Sequence, residues 1–170
     1  TTQSNVGIDL TTWNNRLTFT ADVYWKKTNG LIMSIPLPSS VGVEQPFVRN
    51  DGVLTNQGVE FSVSSQNYKN SRLTWTTDFN ISFNKNEVTK LELQKVYDYA
   101  GIYSNGQSAI RMTEGRPLGS FFGYISEGVD PESGNIVYKD LDNNGIITPD
   151  DRTFIGQAAP KFIYGMTNNL

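Results

Sequence analysis

The sequence predicts an all-β protein built from antiparallel strands. Four segments alternate apolar and polar side chains with a period of two, the pattern of a strand with one dry face and one wet face. Short turns and long connections alternate between these segments, and aromatic side chains collect near the strand ends. Together these observations favour the strands of an outer-membrane β-barrel with long extracellular loops.

Each predicted strand carries its apolar residues at every second position. The apolar faces consist of Val6, Ile8 and Leu10; Leu17, Phe19, Ala21, Val23 and Trp25; Val59, Phe61 and Val63; and Leu73, Trp75, Phe79, Ile81 and Phe83. The alternate positions are mainly Thr, Ser, Asn and Asp. At about 3.3 Å per residue, roughly ten to twelve residues cross a bilayer when the strand is tilted. The second and fourth segments reach that length.

The connections between the strands differ in length. Asn14-Asn15 predicts a tight turn, and residues 67–71 predict a second short one, because both are rich in turn-forming residues. Long loops are predicted at about residues 28–56 and 85–159. In outer-membrane barrels the short turns lie on the periplasmic side, so the long loops would face outside the cell.

A soluble β-sandwich is the alternative fold, because its strands alternate in the same way when one face packs on a core. Two features favour the barrel: the length of the loops, and the strand-end aromatics Trp13, Tyr24, Trp25, Tyr68 and Trp75. Residues 1–12 begin in strand register and residues 161–170 end while still alternating. We therefore expect this chain to be a fragment of a larger sheet.

Composition narrows the possible functions. There are 14 basic and 17 acidic residues without a basic cluster, so no nucleic-acid partner is expected. The chain has no cysteine and no histidine, which removes disulfides and catalytic sites that need an imidazole or a thiol. Single carboxylates on the polar strand faces, such as Asp9 and Glu60, lack the paired partner that glycosidases require. We predict that the protein is not an enzyme.

Residues 140–151 predict a calcium-binding loop. Oxygen-bearing side chains occupy loop positions one, three and five, glycine occupies position six, and a carboxylate occupies position twelve, which is EF-hand-like spacing. The predicted ligands are the side chains of Asp140, Asp142, Asn144 and Asp151 and the carbonyl of Ile146. An Asx-rich turn without metal is the alternative.

The flanks of this loop differ from those of an EF-hand. Residues 134–139, just before it, are β-branched and aromatic and predict a strand instead of an entering helix. Pro149-Asp150-Asp151 predicts a short helical turn at its end. Without helices to move, Ca²⁺ would have a structural role, in which it neutralises an acidic hairpin and fixes its turn.

Several stretches, in this order and spacing, are similar to one family. They are NRL (15–17), DVYWKKT (22–28), IPLP (35–38), NDG (50–52), NQGVE (56–60), FNISFNKN (79–86), GRPLGSFFGY (115–124), the loop at 140–151, IG (155–156) and PK (160–161). The chain resembles the carboxy-terminal half of the barrel in SusC/RagA-type TonB-dependent outer-membrane transporters of Bacteroidetes, over essentially its whole length. One departure is Asn143-Asn144-Gly145, where the family often has Asp-Gly; this substitution reduces the loop's charge and its expected calcium affinity.

The resemblance implies import of a large nutrient, an oligosaccharide or a peptide, across the cell outer membrane with energy from TonB. It also implies a SusD-like surface lipoprotein as partner. The plug domain and the TonB-coupling segment would lie outside these residues. Loop aromatics that could stack on sugar are Phe47, Tyr97, Tyr99, Tyr103, Phe121, Phe122 and Tyr124, although most such residues pack their own loop. The alternative function is a secreted calcium-dependent carbohydrate-binding β-sandwich module.

Overall fold

A computed structural model describes residues 1–35, 47–92, 95–98, 103–104 and 107–170. Its strands are β1 (Thr2–Thr12), β2 (Leu17–Ile35), β3 (Phe47–Lys69), β4 (Thr74–Lys90), β5 (Val96–Asp98), β6 (Tyr103–Ser104), β7 (Gln107–Ser108), β8 (Ile110–Thr113), β9 (Ser120–Gly123), β10 (Ser126–Val129), β11 (Ile136–Tyr138), β12 (Thr153–Gln157) and β13 (Phe162–Asn169). One 3₁₀ turn covers Pro149–Asp151. The all-β prediction is confirmed.

The main sheet has five strands in the order β1-β2-β3-β4-β13, and all neighbouring pairs are antiparallel. Its register aligns apolar side chains into rows that cross every strand. One such row contains Leu10, Phe19, Val63, Phe79 and Met166. The adjacent row contains Thr11, Thr18, Ser64, Asp78 and Thr167. The period-two pattern therefore produces one apolar face and one polar face.

The apolar face of the main sheet is exposed. Val6 is 73% exposed, Ile8 57% and Met166 63%. The opposite, polar positions of β2 are mostly half-buried, whereas several of its apolar positions are open. A soluble sandwich buries its apolar faces against each other, so this arrangement favours a sheet whose outer face meets lipid. No helix in the described ranges is both long and apolar enough to span a membrane.

The predicted loop at 28–56 is too long. β2 and β3 continue to pair as far as Ile35 opposite Phe47, so only residues 36–46 separate them. Gly30 (φ +69°) and Gly52 (φ +84°) adopt left-handed backbone within these strands, and β2 and β3 remain paired on both sides of them. The glycines therefore mark an irregularity in a long hairpin and not its end. The prolines at 36, 38 and 46, which also suggested a loop, lie outside the described residues.

The predicted loop at 85–159 also requires correction. β4 continues to Lys90, and the main sheet resumes at Phe162 in β13. Between them lies a small antiparallel sheet in the order β12-β9-β8-β5, together with the two-stranded β10–β11 ribbon. This connection therefore contains regular structure of its own. The sequence predicted the strand at residues 134–139 that became β11, but it missed β5 and β12, because elements of three to five residues contain too few alternations to detect.

The small sheet packs on the polar side of the main sheet where β4 ends. Val88, Leu91, Tyr97 and Met112 form a buried core there. The partly buried residues around this core are Leu31, Leu54 and Leu118. Val88 continues the face that carries Ser82 and Asn84, so this face changes from polar to apolar where the small sheet covers it.

Both predicted turns are present. Trp13, Asn14 and Asn15 have φ values of 53°, 55° and 64°, so the first turn is left-handed throughout. The second turn begins after Lys69, slightly later than predicted, because β3 continues to Lys69. There the Asn70 side-chain oxygen accepts the backbone N–H of Leu73 at 2.7 Å. Short side-chain-to-backbone bonds of this type are the reason why asparagine favours tight turns.

Candidate calcium loop

The loop at 140–151 follows a strand, as the sequence predicted. β11 (Ile136–Tyr138) pairs with β10, and the Lys139 N–H donates to the Ile125 carbonyl at 2.9 Å. The loop then ends in the 3₁₀ turn Pro149–Asp151. The predicted helical turn is therefore confirmed, and the ribbon presents the loop without an entering helix.

Three of the predicted ligands converge. One carboxylate oxygen from each of Asp140, Asp142 and Asp151 lies within 4.8 Å of the other two. Asp151 is fully buried, whereas Asp142 is exposed and Asp140 is intermediate. The loop thus brings its first, third and twelfth positions together, although they are distant along the chain.

Two backbone amides hold the Asp151 carboxylate in place. Its Oδ2 accepts the Thr148 N–H and its Oδ1 accepts the Leu141 N–H, each at 2.7 Å. Thr148 is also the N-cap of the 3₁₀ turn, and Asp151 completes a capping box with it. N–H donation from Thr148 and then from Leu141 lowers the pKa of the Asp151 carboxyl below its usual value. The group is therefore a carboxylate at neutral pH.

The first half of the loop is a series of Asx turns. Asp140 Oδ2 accepts the Gly145 N–H at 2.7 Å, and Asp142 Oδ1 accepts the Asn144 N–H at 3.0 Å. Asn143 (φ 58°) and Gly145 (φ 83°) supply the left-handed backbone that this tight path requires.

The structure shows other contacts for the two remaining predicted ligands. The Asn144 Nδ2 donates to Asp142 Oδ2, and its Oδ1 accepts the Ile146 N–H, each at 2.8 Å. The Ile146 side chain is exposed. The structure therefore groups the three aspartates, whereas Asn144 and Ile146 are tied to the same turn by their own hydrogen bonds.

The donor set fits a hard divalent cation. Calcium prefers carboxylate and carbonyl oxygens, and this cluster offers three carboxylates without a sulfur or imidazole. The turn hydrogen bonds do not use the whole capacity of these groups, since each ionised carboxylate has about four acceptor positions. The Asx turns and a bound cation are thus compatible in one loop.

Arg152, next to the last predicted ligand, connects the loop to the small sheet. Its guanidinium donates to the carbonyls of Ser108 and Phe122, the latter at 2.9 Å. Two guanidinium groups lie close to the Phe122 ring, that of Arg152 at 4.9 Å and that of Arg111 at 3.8 Å from its centre. This contact was not predicted, because neither periodicity nor spacing pairs residues so far apart in the sequence.

Three of the predicted loop aromatics are in packing contacts with other side chains. Tyr97 is buried and donates to Asp51 Oδ2 at 2.8 Å. Phe122 packs against the Arg111 guanidinium, and the Tyr124 ring centre lies 5.3 Å from that of Tyr138. Tyr99 and the side chains of Phe47 and Tyr103 lie outside the described residues. For Tyr97, Phe122 and Tyr124, packing within the loop is the role that the structure supports.

Comparison with known proteins places this architecture in a family. The model of the family described as "TonB dependent receptor-like, beta-barrel" matches residues 1–153. TonB-dependent receptor P3 of Formosa agariphila is 36% identical over 99% of this chain. TonB-dependent receptor SusC of Bacteroides thetaiotaomicron is 30% identical over all of it. The chain spans 18% of the length of each of these two relatives.

A solved structure shows the same fold. The RagAB peptide transporter structure superposes with a TM-score of 0.78 at 24% identity, covering 96% of this chain and 18% of that one. The antiparallel rows and the exposed apolar face described above agree with the fold of such a barrel wall. The chain therefore belongs to the TonB-dependent receptor-like β-barrel family of the outer membrane, among its SusC/RagA-type members.

Proposed function

We propose that this chain forms part of the barrel wall of a TonB-dependent importer for a large nutrient, an oligosaccharide or a peptide. The observation that supports this most directly is the pair of opposite faces of the main sheet. Its apolar rows are open where lipid would lie, and its polar rows face the opposite side, as in the wall of an aqueous lumen. The names of its relatives, which are receptors and a transporter, support a non-enzymatic role.

The partners follow from the same relationship. We infer a SusD-like surface lipoprotein on the extracellular side, where the small sheet and the β10–β11 ribbon would lie. TonB would engage parts of the protein outside these residues. One relative is named a peptide transporter, which supports peptides as one possible cargo class.

Uptake in cells tests the import function. Deleting the gene for the complete protein from its host should abolish uptake of at least one fluorescent oligosaccharide or peptide, and the wild-type gene should restore it. Depleting TonB should abolish the same uptake, because the outer membrane has no energy source of its own. Unchanged uptake after deletion, or uptake that persists without TonB, would contradict the proposal.

We further propose that the 140–151 loop binds one structural Ca²⁺. Asp140, Asp142 and Asp151 would hold the ion, with Asn144 and the Ile146 carbonyl as the remaining predicted ligands. Three carboxylates within 4.8 Å of one another repel, and a divalent cation neutralises that repulsion. The ion would stiffen a loop that Arg152 ties to the small sheet.

Substitutions in the full-length protein test the calcium site. Asp142→Ala should remove calcium binding measured by calorimetry, because it deletes one of three converging carboxylates. Asp150→Ala is the matched control, since Asp150 has the same charge, lies in the same loop and is outside the carboxylate cluster. Calcium affinity that is the same in the Asp142→Ala variant and in the wild type would rule out this site.

A further inference from the structure

A groove lies where the polar side of the main sheet meets the connection to β13. Tyr24, Gly58, Asn84, Pro117, Gln157 and Lys161 contribute to its lining, and we call it the Tyr24 groove. Its volume is about 620 Å³. Binding sites for small molecules have volumes of roughly 300–1,000 Å³, so the groove is large enough for one or two sugar rings.

Tyr24 is fixed at the base of this groove. A Cβ on Gly58 would lie 2.6 Å from the Tyr24 Cζ and Oη atoms, so the phenol ring lies directly across the glycine. The Tyr24 hydroxyl donates to Asn84 Oδ1 at 3.0 Å. Two constraints therefore hold the aromatic side chain before any ligand arrives. A held aromatic ring loses little conformational entropy when a ligand packs against it.

Tyr24 does not lie where the sequence suggested. The sequence groups it with aromatics that would form a girdle at the membrane surface, but it occupies an even position in β2, together with Thr20 and Asp22. These residues lie on the polar face. Tyr24 is therefore an aromatic residue on the side that would line a lumen.

One unpaired lysine lines the groove. Lys85 and Lys161 are both lining residues, but Lys85 is in register with Gln57 and Trp25, so its side chain projects from the face opposite to Tyr24. Lys85 is paired with Glu87 at 2.7 Å. Lys161 forms no ion pair within the described ranges, so its ammonium group is available to an anion.

A hydrogen-bond donor lies beside the ring. Asn84 accepts the Tyr24 hydroxyl through Oδ1, and its Nδ2 has no partner among the residues that the structure describes. The groove thus combines an aromatic ring, an amide donor and a cation. A sugar ring presents an apolar face, hydroxyl acceptors and, in a uronic acid, a carboxylate, which match these three groups.

We propose that the Tyr24 groove binds a uronic-acid residue of an acidic oligosaccharide, with its ring against Tyr24 and its carboxylate at Lys161. This inference rests on the proposed import function and specifies its cargo class. It also assigns a specific role to Lys161, which lines the groove just before β13 begins.

Calorimetry on the detergent-solubilised full-length protein with trigalacturonate tests this inference. Wild type should bind it, and Tyr24→Ala and Lys161→Gln should each weaken binding roughly tenfold or more, as expected for losing a contact to a charged or tightly packed ligand. Lys139→Gln is the control, because Lys139 is an exposed lysine outside the groove. Fully methyl-esterified trigalacturonate should bind more weakly and be insensitive to Lys161→Gln.

Three results would overturn the inference. In the first, trigalacturonate binding is unaffected by both groove substitutions. In the second, trigalacturonate does not bind although TonB-dependent uptake of another nutrient proceeds, which leaves the import function intact. In the third, tetra-aspartate binds more tightly than trigalacturonate and depends on Lys161 but not on Tyr24. Nutrient uptake that depends on neither the protein nor TonB, in contrast, would contradict the import function itself.

Discussion

Gly52 allows β3 to approach closely the buried core that lies between the main sheet and the small sheet. The residue is buried, has φ +84°, and a Cβ at this position would lie 3.1 Å from both Leu91 Cδ2 and the Lys90 carbonyl oxygen. Both the backbone conformation and the surrounding space therefore favour glycine. Its neighbour Asp51 is also buried and accepts the Glu92 N–H at 2.8 Å. Residues 51 and 52 together connect the main sheet to the small sheet.

Gly52→Ala is expected to destabilise the protein by about 1–3 kcal/mol, because it adds backbone strain and a contact with backbone that cannot move aside. Gly115→Ala is the matched control: Gly115 has a similar φ of +76°, but a Cβ added there would have no atom within 4 Å. Gly115→Ala should therefore lower the unfolding free energy only by the cost of the strained backbone. Denaturant unfolding of the full-length protein measures both, and equal losses for the two variants would contradict the packing argument.

Asp151 has one observed role and one proposed role. Its carboxylate accepts the Thr148 N–H as part of a capping box, and it also occupies the twelfth position of the proposed calcium loop. The sequence predicted the second role from spacing. The first role had a signal as well, because Thr148-Pro149-Asp150-Asp151 has the spacing of a capping box with aspartate in place of glutamate.

At the scale of elements, a cross-strand ion pair joins β5 and β8. Asp98 and Arg111 are register partners, and the guanidinium donates to both carboxylate oxygens at 2.7 and 2.9 Å. Hydrogen bonding from Arg111 holds the pKa of the Asp98 carboxyl below its ordinary value. β5 has only three residues, and this pair holds it together with the buried Tyr97, which donates to Asp51.

The Asp98–Arg111 pair predicts a small pH dependence of stability. Since the folded pKa is lowered, the stabilisation is complete above the ordinary value of 3.8 and is lost as pH falls through the folded pKa. The pair is partly exposed, so about 0.2–1 kcal/mol is expected. Asp98→Asn should reduce the difference in unfolding free energy between pH 5 and pH 3. If the unfolding free energy changes by the same amount between pH 5 and pH 3 in this variant and in wild type, the Asp98–Arg111 pair is not the cause of the pH dependence.

The long strands were predictable from sequence, and their ends were not. Alternation between residues 17 and 26 is a local property of β2, and the structure confirms it. The extension to Ile35 depends on partners in β3, and it passes through Gly30, which sequence rules count as a strand breaker. Pairing on both sides of an irregularity stabilises it, and that pairing is not visible in a single segment.

At the scale of the whole molecule, the two faces of the main sheet predict different effects of a charged substitution on stability. Phe61 lies in an apolar row with Ala21 and Ile81, whereas its neighbour Ser62 lies in a polar row with Thr20 and Asn80. The two residues are adjacent in β3 but project to opposite sides. They therefore form a matched pair for testing which side meets lipid.

Phe61→Lys is expected to destabilise the full-length protein in lipid vesicles by about 2–4 kcal/mol, the cost of a lysine near the middle of a bilayer. Ser62→Lys should change the stability by far less, because its side chain would enter water. Denaturant unfolding from vesicles distinguishes the two. A larger loss for Ser62→Lys than for Phe61→Lys would mean that the faces are assigned the wrong way round.

The sequence by itself determined the features that depend on neighbouring residues: the period-two strands, the turn at Asn14-Asn15 and the spacing of the 140–151 loop. The tertiary structure decided those that depend on distant partners. These are the alignment of rows across five strands, the contact of Arg152 with Phe122, and the groove at Tyr24. Side chains project to alternate faces along a strand because of that strand's own backbone. Which side chains become neighbours across a sheet depends on which strands pair and in what register.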